Sequence, residues 1–424
     1  SGAPRPGTSR GRRLKSAAGA RRAPQQRAAR EGVEHMGARG ETRAKWHQRK
    51  PAVTMATHLG ESDRIAVPVR DNFTALREHY RHGAMRERID ALADTCDRDL
   101  QRLAATFRQR RVAGRIRECH GDLHLQNLVR IDGVITPFDG IEFDANLRCI
   151  DVMNEVAFLL MDTMLGGRAD LGFAFLNRYL EVSGDYAGIP VLSFYTVYRS
   201  LVRAKIAVLQ PRTVAERDAQ VERHVALAER ITKPSRRPLL VICRGLSGSG
   251  KTWLSERLLP IMPAIRIRSD IVRKHLHDLP ELADSGSPVG AGLYDADATT
   301  ATYAALAAHA DDSLSAGYDT IIDATCLRRA ERSHLYAAAD RCGAGFAILD
   351  CSADTATLTE RIANRQASAS DASEANQNVL AWQQAHAEPL SAKERRHAVP
   401  VDTRGDLPPA EIVAQLRAAA ESGP

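Results

Sequence analysis

The sequence predicts an α/β chain in two parts: a mostly helical first half, then a domain built on a parallel sheet with helices on both faces. Three observations predict it. Residues 238–252, PLLVICRGLSGSGKT, read as a buried strand, a glycine-rich turn and the start of a helix. Beyond that stretch strand and helix signals alternate almost to the end of the chain, the pattern that builds parallel sheets. Before it, apolar residues recur at helical spacing over most of 71–230.

Taken in order, residues 1–65 are rich in Arg, Ala, Gly and Pro and lack periodic apolar positions, which predicts a disordered basic tail. Its first residue is Ser, so a processed, tagged or incomplete start is expected. An Arg-rich, acid-poor leader could be a transit peptide; the plainer reading is a tail without a folded role, or a true start near Met36 or Met55. This tail also distorts the charge balance. Residues 1–50 hold 14 Lys/Arg against 3 Asp/Glu, so of the formal +7 they carry +11 and the remaining 374 residues carry −4. A basic average therefore gives no whole-protein case for nucleic-acid binding.

From Asp71 to Arg111, Phe73, Leu76, Tyr80, Ile89, Leu92, Leu100 and Leu103 fall at helical spacing. Residues 116–143, IRECHGDLHLQNLVRIDGVITPFDGIEF, then read as strand, loop, strand, turn and strand. The loop chemistry suits phosphoryl transfer. Asp122 could accept a hydroxyl proton, Asn127 five residues on offers a metal ligand, and Asp139 after the hairpin could hold Mg²⁺. At H-G-D-x-H-x-x-N and the following Asp, the segment resembles the aminoglycoside phosphotransferase and choline kinase family over about 71–230. The resemblance implies a protein-kinase-like, mostly helical C-lobe over 66–232, with Asp122 as catalytic base and Asn127 and Asp139 as metal ligands. His120 and His124 are expected to order the loop, and Asp151 to cap the helix that follows. That family places a β-lobe with a nucleotide-holding Lys in front of this lobe. Residues 1–70 show no such pattern, so the lobe is expected to be incomplete and a 60–232 fragment to bind nucleotide weakly.

Residues 232–237, TKPSRR, form the best boundary, giving a P-loop domain at 233–424. Gly245, four residues, Gly250, Lys251 and Thr252 fit G-x-x-x-x-G-K-[ST], whose backbone N–H groups wrap a polyphosphate at a helix N-terminus. The expected ATP-binding set is Gly245, Ser247, Gly248, Ser249, Gly250, Lys251 and Thr252, with the Thr252 hydroxyl on Mg²⁺. Strands are expected at 264–267, 320–322, 345–349 and 398–401, with helices between. Ligands of such sheets lie beyond the strand C-termini, where Asp270, Asp323 and Asp350 are expected. Asp270 could deprotonate an acceptor hydroxyl while Arg273 clamps an anionic part of the substrate. Asp323 stands where a second Mg²⁺ ligand is needed, and Arg361 and Arg365 share a helix face that could close over the transferring phosphate. The polar loop between Lys274 and Ala298 is expected to act as a substrate flap.

GLSGSGKT, SDIVRK, IIDAT and the R-x-x-x-R helix together resemble P-loop kinases such as polynucleotide 5′-kinase, gluconate kinase and zeta-toxin-like enzymes, over nearly all of 238–404. The order of the halves is similar to a bacterial group that joins an aminoglycoside-phosphotransferase-like domain to a P-loop kinase, and the Arg- and Ala-rich usage suits a GC-rich bacterium. The expected activity is ATP- and Mg²⁺-dependent transfer of the γ-phosphate to a hydroxyl of a small molecule. A nucleic-acid-end kinase is the alternative within enzymes, disfavoured by the acidic body and by aromatics at 5% of the chain, too few for a stacking groove. A regulatory ATP-binding module is the alternative outside them. Seven scattered cysteines without a C-x-x-C pair predict neither disulfides nor zinc and suit a cytoplasmic protein. No membrane-length apolar run is present, and no feature sets the oligomeric state.

Overall fold

A computed structural model describes residues 32–54, 58–132, 134–283, 285–286, 292–368, 372–405 and 408–421. The first half is a bundle of helices, among them Ser62–His79, Ala84–Arg102, Val152–Leu165, Ala169–Ser183, Ile189–Leu209 and Val214–Thr232. Four short strands sit on it: β1 (Ile116–Glu118), β2 (Leu128–Ile131), β3 (Val134–Pro137) and β4 (Cys149–Asp151). β1 pairs antiparallel with β4, and β2 with β3, so the expected strand, loop and hairpin order of 116–137 holds.

The expectation of disorder across 1–65 needs correction. Residues 32–49 are helical, with Met36, Arg39, Arg43, Ala44 and His47 buried. Their spacing is that of one helix face, but arginine and histidine fill it, so no apolar stripe marks it in the sequence. Gly40 brings this helix against Ala169–Ser183: a Cβ there would lie 3.0 Å from the Tyr179 backbone N. Residues 1–31 lie outside the described residues.

The buried polar groups of the bundle are tied to one another. Glu155, fully buried, accepts the backbone N–H of His120 and Gly121 and pairs with Arg43 at 3.2 Å and His47 at 3.0 Å. The His47 Nδ1 in turn meets the Tyr179 hydroxyl at 3.0 Å. The helix at 32–49 thus fixes the rear of the H-G-D loop. Similarly, Arg110 donates to both oxygens of Asp151, each at 2.7 Å, and to Asp185 at 2.9 Å. Asp151 also caps the helix Val152–Leu165 by accepting the Met153 N–H, as its position in the sequence suggests. Arg110→Leu would leave buried Asp151 without its cation and Asp185 with only Arg115 at 3.5 Å, and we expect a loss of about 3 to 5 kcal/mol in denaturant unfolding. A loss under about 1 kcal/mol, the size of a surface pair, would show that solvent reaches these carboxylates.

The second half carries β5 (Leu239–Arg244), β6 (Ile265–Arg268), β7 (Thr320–Asp323), β8 (Gly345–Ser352) and β9 (Ala398–Asp402). They form one parallel sheet in the order β6-β7-β5-β8-β9. β5 is central and buried along its length, which is why Leu239–Cys243 is uniformly apolar. Helices cover both faces, including Lys251–Leu258, Ala296–Ser315, Arg329–Arg341 and Pro409–Glu421. Pro400 sits exposed in β9, an edge strand where its missing N–H leaves no ladder bond unmade.

The two halves share a face. At the other edge of the sheet, the Asn177 side chain donates to Ala264 O at 2.9 Å and accepts the Arg266 N–H at 2.8 Å. Arg266 pairs with Glu181 at 2.9 Å, and Ser193 donates to Ala316 O at 2.8 Å. Phe173 meets Tyr318 and Tyr186 stacks on His309 across the same junction. No helix among the described residues is long and apolar enough to cross a membrane.

Candidate functional site

The site forms where the sequence places its loop, at the C-terminal ends of β5, β6 and β7. β5 ends at Arg244, the loop 245–250 turns, and Lys251 opens the helix Lys251–Leu258. The turn demands glycine at Gly248: φ is +81° and a Cβ would sit 2.8 Å from Leu358 O. Ser249 Oγ is buried under the loop without a hydrogen-bond partner among the described residues. The Lys251 ammonium reaches back over the loop to Gly245 O at 2.9 Å and Leu246 O at 2.8 Å.

A cleft of about 450 Å³ opens beside this loop. It gathers Ser247, Gly248, Gly250, Lys251, Thr252, Asp270, Arg273, Asp323, Arg361 and Arg365, most of the side chains expected from the sequence. Asp270 is half-buried in the first turn of Ser269–Leu276 and has no hydrogen-bond partner among the described residues. Arg273, one turn on, is buried with its guanidinium 4.7 Å from the centre of the Tyr294 ring and its Nε on Thr302. Both therefore present chemistry to the cleft rather than to each other.

Asp323 ends β7 almost fully buried, near Arg268 at 3.9 Å and Ser255 Oγ at 3.4 Å. Burial pushes its carboxyl up, against the pull of Arg268, Arg266, Lys251 and the Thr252 hydroxyl. A desolvated carboxylate beside a threonine hydroxyl suits a hard divalent cation. Burial likewise pushes the Lys251 ammonium down, despite Asp323 and Asp270 nearby. The charged form is the one that attracts a polyphosphate, so affinity is complete below the lowered pKa and lost as pH rises through it. We expect affinity for a fluorescent ATP analogue to fall at a lower pH than free lysine titrates, and Lys251→Arg to shift that fall upward.

Three expected positions behave differently. Asp350 lies within β8 opposite Arg244 of β5, and the two pair at 2.7 Å, so it is spent away from the cleft. Arg361 lines the cleft but is bound to Thr403 Oγ1 at 2.8 Å, Thr403 O at 3.0 Å and Gly248 O at 3.3 Å. It braces the loop. Arg365 donates to Ala375 O at 3.0 Å. The expected flap is described only in part, since residues 284 and 287–291 lie outside the described residues.

Helices are expected between the strands at 345–349 and 398–401, but sequence reasoning did not place the helix Gln377–His386 in the site. Its Gln383 accepts the Ser247 N–H at 2.8 Å, and its half-exposed Trp382 faces the cleft with Arg328 over its ring and His386 stacked on it. Tyr294, Tyr303 and Glu331 complete the wall. A tryptophan left half-exposed on a helix whose Leu380 is buried was the one local signal.

Asp122, Asn127 and Asp139 stand in the helical half, outside this cleft. The Asn127 Nδ2 donates to Asp122 Oδ2 at 2.9 Å, and His124 meets the same oxygen at 3.2 Å. Burial raises the Asp122 carboxyl, but His124, Arg199 and Asn127 outweigh it and hold it below the usual range. Asp139 is exposed at the turn after β3, with a left-handed φ of 59°.

Comparison with known proteins agrees with the second half. The family described as an AAA domain matches residues 240–390. Uncharacterized proteins of Mycobacterium tuberculosis (strain ATCC 25618 / H37Rv) and Mycobacterium bovis are each 29% identical over 354 residues, covering 81% of this chain and 69% of the relative. Among solved structures, a gluconokinase from Sinorhizobium meliloti 1021 aligns at 21% identity, covering 44% of this chain and 93% of its own, with a TM-score of 0.30. Chaetomium thermophilum Kti12 in complex with ADP-AlF3 aligns at 16% identity, covering 43% and 100%, with a TM-score of 0.34. Residues 240–390 thus match a P-loop domain family, and the parallel sheet, glycine-rich loop and cleft described above are the fold and site such a domain carries.

Proposed function

We propose that the P-loop half is an ATP- and Mg²⁺-dependent phosphotransferase acting on a hydroxyl of a small molecule. One observation carries the reading: Asp270, a carboxylate without a hydrogen-bond partner among the described residues, opens on the same cleft as the P-loop lysine. Thr252 and Asp323 would hold Mg²⁺, which neutralises charge on the phosphates when bound. Lys251 exchanges its two carbonyl contacts for the β- and γ-phosphate oxygens. Asp270 takes the acceptor's hydroxyl proton as the oxygen attacks, and Arg273 orients an anionic part of that acceptor. Arg361 keeps the loop in shape from outside, and Arg365 faces the transferring group from the next turn.

For residues 66–232 the proposal is an incomplete aminoglycoside-phosphotransferase-like lobe, supported by the Asp122 and Asn127 pairing within a strand, loop and hairpin frame. A regulatory role for ATP occupancy gains support from one contact. Arg178 of the helical half pairs with Glu281, in the segment between Ser269–Leu276 and the cleft residue Tyr294, at 2.7 Å. The full chain is to be incubated with labelled ATP and a panel of sugars, hydroxy acids, nucleosides and oligonucleotide ends. A labelled product with a small hydroxyl compound is expected. Slow hydrolysis alone would favour the regulatory reading, and labelled oligonucleotide ends the nucleic-acid one.

A further inference from the structure

The helical half holds a second cavity, of about 280 Å³, whose lining residues are all distinct from those of the P-loop cleft. It lies between the β1 and β4 pair, the start of Ser62–His79 and the helix Ile189–Leu209. Its walls are apolar and aromatic, with Ile65, Ile116, Leu147, Tyr195 and Tyr198 among them. A dry apolar pocket would need no charge, yet Arg199 lines this one at 6% exposure.

The arginine makes no ion pair among the described residues, although its charge reaches the Asp122 carboxylate outside the cavity wall and helps hold that group down. Its Nε donates to Asn154 Oδ1 at 2.7 Å, and its guanidinium lies 4.6 Å from the Phe158 ring centre and 5.5 Å from that of Tyr198. Among the described residues no carboxylate comes within ion-pair distance of it, and neither of its Nη groups has a protein acceptor. The one acid in the cavity wall, Asp151, has both oxygens bound by Arg110. Arg64, exposed in the wall, also has no ion pair among the described residues and adds a second positive charge. Burying a guanidinium without an anion in direct contact is costly, and a planar fork whose Nη groups lack protein acceptors among the described residues fits a carboxylate or phosphate. The aromatic and aliphatic walls then suit an apolar body, and the volume suits a ligand of one ring.

We propose that this cavity binds a small organic anion, a carboxylate or phosphate monoester carried on an apolar body. The site is independent of the phosphotransferase reading. The full chain is to be titrated with benzoate, phenyl phosphate and the neutral benzyl alcohol, by calorimetry and thermal shift. At least one anion is expected to saturate and raise the Tm, with benzyl alcohol weaker by about tenfold or more. Benzoate and phenyl phosphate separate the two headgroups. Arg199→Gln is expected to cost the anion about tenfold or more in affinity. Leu147→Trp, at the half-exposed wall, leaves Arg199 in place but fills the space and is expected to abolish binding; it carries the test if Arg199→Gln folds poorly. Lys251→Ala is expected to leave this binding intact. Anion binding that survives both cavity variants, that vanishes with Lys251→Ala, or that benzyl alcohol matches would overturn the proposal, as would no binding of either anion.

Discussion

Lys251→Ala is expected to weaken ATP binding by a hundredfold or more, about 3 kcal/mol. The ammonium is the P-loop's only formal positive charge, and it already spans Gly245 O and Leu246 O at the mouth of the cleft. Phosphate oxygens replace those carbonyls with charge-assisted bonds, roughly twice as strong as neutral ones. Alanine is a good helix former at the first turn of Lys251–Leu258, so the variant should fold. Titration with a fluorescent ATP analogue reads the loss, and circular dichroism reads the fold. Retained affinity in a folded variant would move the nucleotide elsewhere in the chain.

Asp270→Asn is expected to lower the rate of phosphoryl transfer by about a hundred to ten-thousandfold while ATP affinity changes little. The substitution keeps size and removes both the charge and the capacity to take a proton. Asp270 has no hydrogen bond among the described residues to lose, so its neighbourhood should not rearrange. A structural role would instead appear as a lower Tm with the rate per folded molecule preserved. Hydrolysis of ATP without an acceptor should be far less sensitive, which separates the base role from a general disturbance of the cleft.

The P-loop and its sheet were legible because their signals are local. Gly245 to Thr252 carries its geometry in consecutive residues, and the buried central strand declares itself by a run of apolar side chains. Features set by long-range pairing were not legible. Asp350 satisfies the same rule of position as Asp323, yet the parallel register of β5 and β8 sets Arg244 directly opposite and consumes its charge. Gln383 stands 136 residues from the Ser247 N–H it accepts, and no motif links them. The helix at 32–49 hid for a chemical reason. Its buried face is written in Arg39, Arg43 and His47, groups that stay exposed unless partners such as Glu155 meet them, and that partner lies more than a hundred residues away.

The bond pair between Asn177 and β6 has a practical consequence for anyone who divides the chain. A single amide side chain, offering one donor and one acceptor, mimics the neighbouring strand that β6 lacks at Ala264 and Arg266. Cut at residues 233–237, the P-loop half would keep its loop and cleft but bare an apolar edge at Ile265 and Ile267. Such an edge templates further strands, so the isolated half should self-associate more readily than the full chain.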